Sequence, residues 1–356
     1  MFPPPRRQDG DAAIRLTDSD AALARLSAVK KHYLTDPFIL PFIARPHLQP
    51  HRPPLINIGT YVRSEALDDL VDQWLTLADQ EGKPCQIVSF GAGSDTRFWR
   101  IATGPKSKCL SKYVELDFSE ITTKKAMAIR KSKELSALLG RPEDVTLGGG
   151  GSALHSPVYH LLPTDLRLPP SQSFGPLLAA APTLLSPSLP TLLLFECVLV
   201  YMTPACSSAL IQWFTDYFAG ATESGVLGAV VYEMFNLRDA FGKVMVNNLK
   251  ARNVTLPGAE PYPTVASLPS RFSSEDFDYA SALTLREIRR AYIAPSELER
   301  IAQLEMLDEI EELELVLEHY AITWGVKLGS GADGLKASWS GWGMKQKNGE
   351  LRNLAI

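Results

Sequence analysis

The sequence predicts an α/β fold in which a mostly parallel sheet is covered by helices. Short apolar segments typical of strands alternate along the chain with segments of helical periodicity. Residues 191–195 form a continuous apolar run, which is typical of a strand buried on both faces. Residues 86–96 show the pattern of a strand that ends in a glycine turn and leads into a helix.

The N-terminal part predicts helices that flank irregular, proline-rich sequence. Residues 16–29 carry apolar side chains at about three-residue spacing, and the prolines of residues 37–54 exclude regular structure there. Residues 61–78 carry apolar side chains on one face of an amphipathic helix. We therefore expect residues 16–60 to form an N-terminal helical cap.

The alternation of strands and helices continues through most of the chain. The predicted elements are strands at 86–90, 113–116, 159–162, 191–195 and 226–232, and helices at 121–139 and 207–218. Residues 234–295 interrupt this pattern and are expected to form an inserted substrate lid. A capping box at Pro295 begins a helix that is predicted to continue to Leu317. Residues 319–327 and 335–345 are predicted as a closing antiparallel hairpin.

Length and composition limit the possible domain organisation and the cellular compartment of the protein. The chain has 356 residues, of which 45% are hydrophobic, so it can bury a large core without disulfides. We expect residues 1–15 to be disordered and residues 16–356 to form one domain. The four cysteines lack CxxC spacing, and no apolar run is free of prolines for the length of a membrane helix. These features predict a cytoplasmic or nuclear protein that does not bind membranes.

Nucleic-acid and metal binding are not expected. The formal net charge is -4, so no general basic field attracts nucleic acid. The basic residues between Lys124 and Lys133 are interpreted as the solvated face of a helix. His155 and His160 are interpreted as exposed loop histidines, because no third ligand stands at metal-binding spacing.

The glycine turn predicts a nucleotide-like cofactor without a pyrophosphate. Gly91 and Gly93 follow the first strand, but Thr96 stands where a dinucleotide-binding turn has its third glycine. Asp95 would repel a pyrophosphate, whereas it is compatible with the cationic S-adenosylmethionine. NAD and FAD are therefore not expected.

Acidic side chains follow successive predicted strands. Glu115 and Asp117 close the second strand, Asp165 follows the third beside Leu166, and Glu196 follows the fourth. Because the carboxyl ends of parallel strands meet at one edge of a sheet, these acids are expected to converge on one crevice. An acid in the second position suits ribose hydroxyls, and an acid beside an apolar residue suits adenine.

Four longer motifs carry a family resemblance. They span residues 91–100, 165–167, 196–204 and 245–249. They resemble the leucine carboxyl methyltransferases, which methylate the C-terminal leucine of the protein phosphatase 2A catalytic subunit. The resemblance covers roughly residues 25–325.

The resemblance implies a class I methyltransferase fold, with a mostly parallel seven-stranded sheet whose last strand is antiparallel, and S-adenosylmethionine as cofactor. The residues it implies for cofactor binding are Arg25, Arg63, Gly91, Gly93, Asp117, Asp165, Leu166 and Glu196. Arg63 and Tyr201 are the candidates for positioning the acceptor, and whether Arg63 holds the acceptor or the cofactor carboxylate is left open. Arg25 stands where the family has a lysine.

The implied reaction is methyl-ester formation on the terminal leucine carboxylate, a modification that regulates assembly of the phosphatase holoenzyme. A carboxylate is ionised at neutral pH and needs no general base. The implied partner is the catalytic subunit, contacted through its tail and active-site face by a monomeric enzyme. Two alternatives remain: a methyltransferase for a small-molecule carboxyl or hydroxyl, and a non-catalytic phosphatase-binding protein.

Overall fold

A nine-stranded mixed sheet forms the centre of the protein in a computed structural model, which describes residues 10–179, 183–221, 223–329 and 336–347. The strands are β1 Cys85–Phe90, β2 Leu110–Asp117, β3 Thr146–Gly148, β4 Ala153–His155, β5 Tyr159–Pro163, β6 Thr191–Glu196, β7 Leu227–Met234, β8 Tyr279–Thr284 and β9 Tyr320–Lys327. The helices are α1 Gly10–Lys30, α2 Pro54–Gln80, α3 Arg97–Ala102, α4 Ser119–Lys131, α5 Lys133–Ser136, α6 Phe174–Ala179, α7 Pro204–Ala219, α8 Ala240–Ala251, α9 Ser270–Ser273, α10 Leu285–Ala291, α11 Pro295–Ala302, α12 Ile310–Glu318 and α13 Lys336–Ser340.

The strand order confirms the predicted class. It runs β3-β4-β5-β2-β1-β6-β7-β9-β8, and the five strands from β5 to β7 are parallel. The last strand, β9, lies antiparallel between β7 and β8, as expected. The short antiparallel strands β3 and β4 extend the predicted seven strands to nine at one edge.

The register of the central strands aligns their carboxyl ends. Phe90 of β1 pairs with Leu116 of β2 on one side and with Phe195 of β6 on the other. Every residue of β1 and β7 is buried, which explains why the sequences of both strands are mostly apolar. The residues that follow Phe90, Leu116 and Phe195 therefore emerge side by side at one edge of the sheet.

Each face of the sheet buries its own apolar core. Ile87 belongs to the core that also contains Leu70 and Trp74 of α2, whereas Val88 belongs to the core that contains Phe214 of α7. Successive strand residues point to opposite faces, so β1 contributes to both cores.

Three tryptophans form a cluster on the face of the sheet that α2 covers. The Trp74 ring centroid lies 4.5 Å from that of Trp339 and 5.0 Å from that of Trp342. Trp342 also donates a hydrogen bond of 3.0 Å to the carbonyl of Leu70. Because Trp339 and Trp342 are buried, the segment around α13 packs on α2.

This packing corrects the predicted closing hairpin. Over its described residues, 336–347, the segment expected as a strand contains α13 and no strand. The antiparallel partners of β9 are instead β7 and β8. The apolar residues of this segment cover α2 and do not extend the sheet.

The N-terminal boundary also differs from the prediction. α1 begins at Gly10, so residues 10–15 are helical and not disordered, while residues 1–9 lie outside the described part. α2 begins at Pro54, inside the expected cap, since proline is favourable in the first helical turn.

The inserted segment is shorter than predicted. Residues 234–295 include β8, which pairs with β9 and is part of the sheet. The insertion after β7 therefore covers residues 235–278 and contains α8 and α9.

Two predicted helices are interrupted. The helix expected from Pro295 to Leu317 is divided into α11 and α12, and Leu304 and Leu307 between them pack against the core. The helix expected over 121–139 is divided after Lys131, where Ser132 caps α5 by accepting a hydrogen bond from the Leu135 amide. None of the helices in the described part has both the length and the apolarity to cross a membrane.

Candidate active site

A cavity of about 710 Å³ opens at the carboxyl ends of the parallel strands. α1, α2 and α8 all contribute lining residues. Two groups of these residues, distinguished by their chemistry, are named here the polar side and the apolar side. The polar side carries Gly91, Gly93, Asp117, Asp165 and Glu196, and the apolar side carries Tyr201, Tyr232, Tyr320, Val198, Met202, Met234, Met245 and Leu249.

The glycine turn brings the backbone close to the cavity. Gly91 and Gly93 have positive φ angles of 58° and 49°, a region that favours glycine. A Cβ atom on Gly91 would lie 2.5 Å from Cγ2 of Val198, and one on Gly93 would lie 2.6 Å from Oδ1 of Asp18. Both positions therefore require glycine for conformation and for space.

Asp117 connects the second strand to the glycine turn. Its Oδ2 accepts a hydrogen bond of 2.8 Å from the Gly93 amide, and its Oδ1 accepts one of 2.7 Å from the Phe118 amide. Burial raises the pKa of Asp117 to about 6, although both amides favour the ionised form. Asp117 lies at the cavity wall, where the sequence predicted a ribose contact.

Asp165 and Leu166 also line the cavity. Arg167 donates hydrogen bonds of 2.8 and 2.6 Å to the two oxygens of Asp165, and it pairs with Asp11 of α1 at 2.6 Å. The hydrogen bonds from Arg167 hold the pKa of Asp165 below its usual range. Arg167 thereby links the N-terminal helix to the loop after β5.

Glu196 lies between two arginines. Its Oε2 accepts hydrogen bonds of 3.0 and 2.8 Å from Nε and Nη2 of Arg63, and its Oε1 lies 2.7 Å from Nη1 of Arg97. Burial opposes ionisation of Glu196, but Arg97 and then Arg63 lower its pKa to about 2. The Glu196 side chain is therefore a carboxylate at neutral pH.

Arg97 is a site residue that the sequence reasoning did not single out. It is 3% exposed and contacts Asp68 of α2 at 3.1 Å, Asp95 of the glycine turn at 2.7 Å, and Glu196. The only sequence signal was its place in the motif at residues 91–100. Its buried guanidinium holds three parts of the site together.

Arg25 and Arg63 both line the cavity. Arg25 pairs with the buried Asp36 and donates a hydrogen bond of 3.2 Å to Ser64. The guanidinium of Arg63 lies 4.5 Å from the ring centroid of Tyr232, at the border between the polar and apolar sides.

Glu115 does not join the other acids at the cavity. It is buried beside Lys125 of α4, whose Nζ lies 2.5 Å from the Glu115 carboxylate and donates to the Asp95 carbonyl at 2.8 Å. Burial raises the pKa of Glu115 to about 7 against the effect of Lys125. The interpretation of Lys125 as part of a solvated face was therefore wrong.

The two histidines interpreted as exposed loop residues lie in strands. His155 closes β4, His160 lies in β5, and His160 is buried. Their Nδ1 atoms are 3.3 Å apart. Within the described ranges, no three metal-binding side chains cluster, and all four cysteines are free thiols.

Tyr201 lines the cavity, as do Tyr232 and Tyr320. Burial is the main reason that its pKa is raised above the usual tyrosine range. The Tyr201 hydroxyl is therefore a neutral hydrogen-bond donor at physiological pH.

The sheet order, the glycine turn and the acids at the strand ends together define a methyltransferase of class I architecture. The family model described as leucine carboxyl methyltransferase matches residues 13–215. The chain belongs to the leucine carboxyl methyltransferase family, and it is a methyltransferase enzyme.

Curated relatives match over most of the chain. "Leucine carboxyl methyltransferase 1" of Cryptococcus neoformans var. neoformans is 44% identical over 91% of this chain and 96% of its own length. The protein of the same name from Aspergillus fumigatus is 38% identical, with 93% and 86% covered. "Leucine carboxyl methyltransferase 1 homolog" of Arabidopsis thaliana is 34% identical, with 88% and 89% covered.

Among solved structures, a putative methyltransferase from Thermobifida fusca covers 92% of this chain and 99% of its own, with a TM-score of 0.47 and 14% identity.

The cavity fits S-adenosylmethionine, the cofactor of this enzyme class. Its volume suffices for a ligand of that size, and the glycine turn leaves room for close approach to the backbone. Asp95, Asp117, Asp165 and Glu196 offer acidic acceptors to a cofactor that carries a sulfonium and an ammonium group.

Proposed function

We propose that this enzyme transfers a methyl group from S-adenosylmethionine to the α-carboxylate of the C-terminal leucine of the protein phosphatase 2A catalytic subunit. The product is a methyl ester that regulates assembly of the phosphatase holoenzyme. The enzyme acts as a monomer and contacts the tail and the active-site face of its partner.

One observation carries this proposal: Arg63 lies where the polar side of the cavity meets the apolar side. Its Nε and Nη2 face Glu196, and its guanidinium lies over the Tyr232 ring. Because Glu196 occupies the Nε–Nη2 edge, a ligand carboxylate would meet the remaining N–H groups on Nη1 and Nη2, and the planar guanidinium stacks on the aromatic ring. A cationic group at this border suits a ligand that joins a carboxylate to an apolar side chain.

The polar side is assigned to the cofactor. We expect backbone atoms of Gly91 and Gly93 to approach its methionine part, and Asp117 to accept hydrogen bonds from its ribose. Asp165 and Leu166 suit the adenine, while Glu196 suits the amino group. Arg25 or Arg63 suits the cofactor carboxylate.

The apolar side is assigned to the acceptor. Met202, Met234, Met245 and Leu249 form a surface that suits a leucine side chain, and Tyr201 can donate a hydrogen bond to the carboxylate. A terminal carboxylate is ionised at neutral pH, so it is nucleophilic without a base. Consistent with this, no histidine occurs among the described residues that line the cavity.

The chain's own residues act by binding and positioning. Bound S-adenosylmethionine supplies an electrophilic methyl group on its sulfonium. Tyr201 orients the acceptor carboxylate, as does Arg63 where Arg25 holds the cofactor carboxylate, and the apolar wall removes water from the acceptor, which strengthens its nucleophilic character.

The test is methyl transfer from radiolabelled S-adenosylmethionine to the purified phosphatase catalytic subunit. The matched control is the same subunit without its terminal leucine. We expect base-labile label on the intact subunit alone. Label on neither protein, with cofactor binding confirmed by calorimetry, would contradict the proposal and favour a small-molecule acceptor or a non-catalytic binding role.

A further inference from the structure

The ring of His319 contacts two groups that can only accept hydrogen bonds. Its Nδ1 lies 2.8 Å from the carbonyl oxygen of Leu315, and its Nε2 lies 3.0 and 3.1 Å from the two oxygens of Asp239. A neutral imidazole has one N–H group, whereas the imidazolium has two. Both contacts are favourable only when the ring is cationic.

The surroundings of the ring favour that charged form. Hydrogen bonds from the Gly242 amide and from His319 outweigh burial and lower the pKa of Asp239, so its carboxyl is ionised. Leu315 lies in the last turns of α12, where the helix dipole stabilises a cation. The remaining neighbour across the ring is Phe241, whose centroid lies 4.8 Å away.

Asp239 also begins the helix that borders the cavity. It is the N-cap of α8, and its Oδ1 accepts a hydrogen bond of 2.7 Å from the Gly242 amide. Gly242 is the one fully buried residue of α8, and the apolar Phe241, Met245, Val246 and Leu249 are half-buried, so the apolar packing of this helix is incomplete. Contacts at its ends also hold it in place, namely Asp239 with His319 and the more exposed Arg252 with Asp20.

We propose that His319, in its doubly protonated form, is a positioning residue that holds α8 against the apolar side of the cavity. Met245 and Leu249 of α8 form part of that side. Loss of one ring proton leaves either Asp239 or the Leu315 carbonyl facing a nitrogen lone pair. This contact therefore stabilises the observed position of α8 at low pH, and the stabilisation is lost as the pH rises.

Nuclear magnetic resonance tests the protonation state without any acceptor. We expect both ring nitrogens of His319 to carry protons at neutral pH, with the signal assigned by its absence in His319→Gln. In Asp239→Asn the side chain still caps α8 but no longer requires a cation, and we expect a neutral ring. One unprotonated nitrogen in the wild type at neutral pH would overturn the proposal.

Hydrogen exchange and kinetics test the positioning role. Between about pH 6 and about pH 9, a range that extends above the usual one for histidine because both contacts of the ring favour the imidazolium, we expect α8 to lose protection against exchange beyond the intrinsic effect of pH. Over the same range, the acceptor KM should rise about fivefold, a modest coupling between sites, with kcat at saturating acceptor nearly unchanged. Asp239→Asn should abolish both effects, and Glu311→Gln on the exposed face of α12 should retain them.

The kinetic readout rests on the proposed function, whereas the exchange readout does not. Absence of transfer at every pH, with the exchange difference intact, would contradict only the proposed function. Transfer with the same pH dependence of KM and of exchange in the wild type and Asp239→Asn would contradict the role of His319.

Discussion

The polar and apolar sides of the cavity are built in different ways. Most residues of the polar side follow long buried strands, and Arg97 alone joins α2, the glycine turn and the end of β6. The apolar side depends in part on α8, which buries one residue and is held at its ends. The ion pairs of Arg97 provide a rigid site that suits a ligand that is the same in every turnover, whereas a less tightly packed helix can move to admit the methyl acceptor.

The largest effect should come from removing the ion pairs that Arg97 makes on the polar side. Arg97→Met leaves Asp95 and Glu196 without their shared partner and should reduce the free energy of unfolding by about 3 kcal/mol. Urea denaturation measures this change. Lys106→Met is the control, since its ion pair with Asp72 is exposed and should contribute below about 1 kcal/mol. Equal losses in the two variants would contradict the assigned role of Arg97.

Two glycine substitutions distinguish the effect of backbone strain on cofactor affinity from the effect of an added Cβ atom at the cavity. Gly91→Ala adds a Cβ in the left-handed region and against Val198, and should weaken S-adenosylmethionine binding at least about tenfold. Gly150→Ala adds similar strain, with φ of 66°, in open space far from the cavity. Calorimetry should therefore find unchanged cofactor affinity for Gly150→Ala. Equal affinity of both variants would show that close approach at Gly91 is not needed.

Asp117 allows a smaller and pH-dependent test of the polar side. Its pKa is raised to about 6 by burial, so cofactor affinity should fall as the pH falls through that value. Because the pKa is raised, the group's contribution to stability is present at low pH and is lost as the pH rises through about 6. Asp117→Asn should weaken binding about fivefold at neutral pH and flatten the pH dependence. A wild-type affinity that is constant from pH 5 to pH 8 would contradict the ribose assignment.

The smallest effect is expected on the apolar side. Tyr201→Phe removes one donor to the acceptor carboxylate and should raise the acceptor KM about threefold, because the charged Arg63 guanidinium remains beside the carboxylate and compensates in part for the lost hydrogen bond. Steady-state kinetics with the phosphatase subunit measures this, and cofactor affinity by calorimetry should be unchanged. A fall in cofactor affinity would indicate that Tyr201 contacts the cofactor, and it would contradict the assignment of the apolar side to the acceptor.

The same contrast explains what the sequence could predict. The glycine turn and the acids after β2, β5 and β6 were recognisable because strand ends and turns are local patterns, and parallel pairing makes them converge. Glu115 and Lys125 were misinterpreted because burial depends on which face of β2 and α4 meets the core. Nothing local to either residue indicated that they form a pair.

Contacts between residues that are far apart in the sequence could not be predicted either. Asp239 and His319 are 80 positions apart, and Asp20 and Arg252 are 232 apart. β8 was absorbed into the predicted lid because its residues are only partly buried and lack a strong apolar run. The break between α11 and α12 was missed because the apolar spacing continues through Leu304 and Leu307, which pack without helical structure.

The tryptophan cluster behind the sheet determines what intrinsic fluorescence can report. The six tryptophans of the chain include Trp74, Trp339 and Trp342 of the cluster, and none of the six lines the cavity. Emission should therefore respond to unfolding and to detachment of the α13 segment from α2, while ligand binding leaves it almost unchanged. A tryptophan introduced at the exposed Val244 of α8 would give the cavity entrance an optical signal of its own.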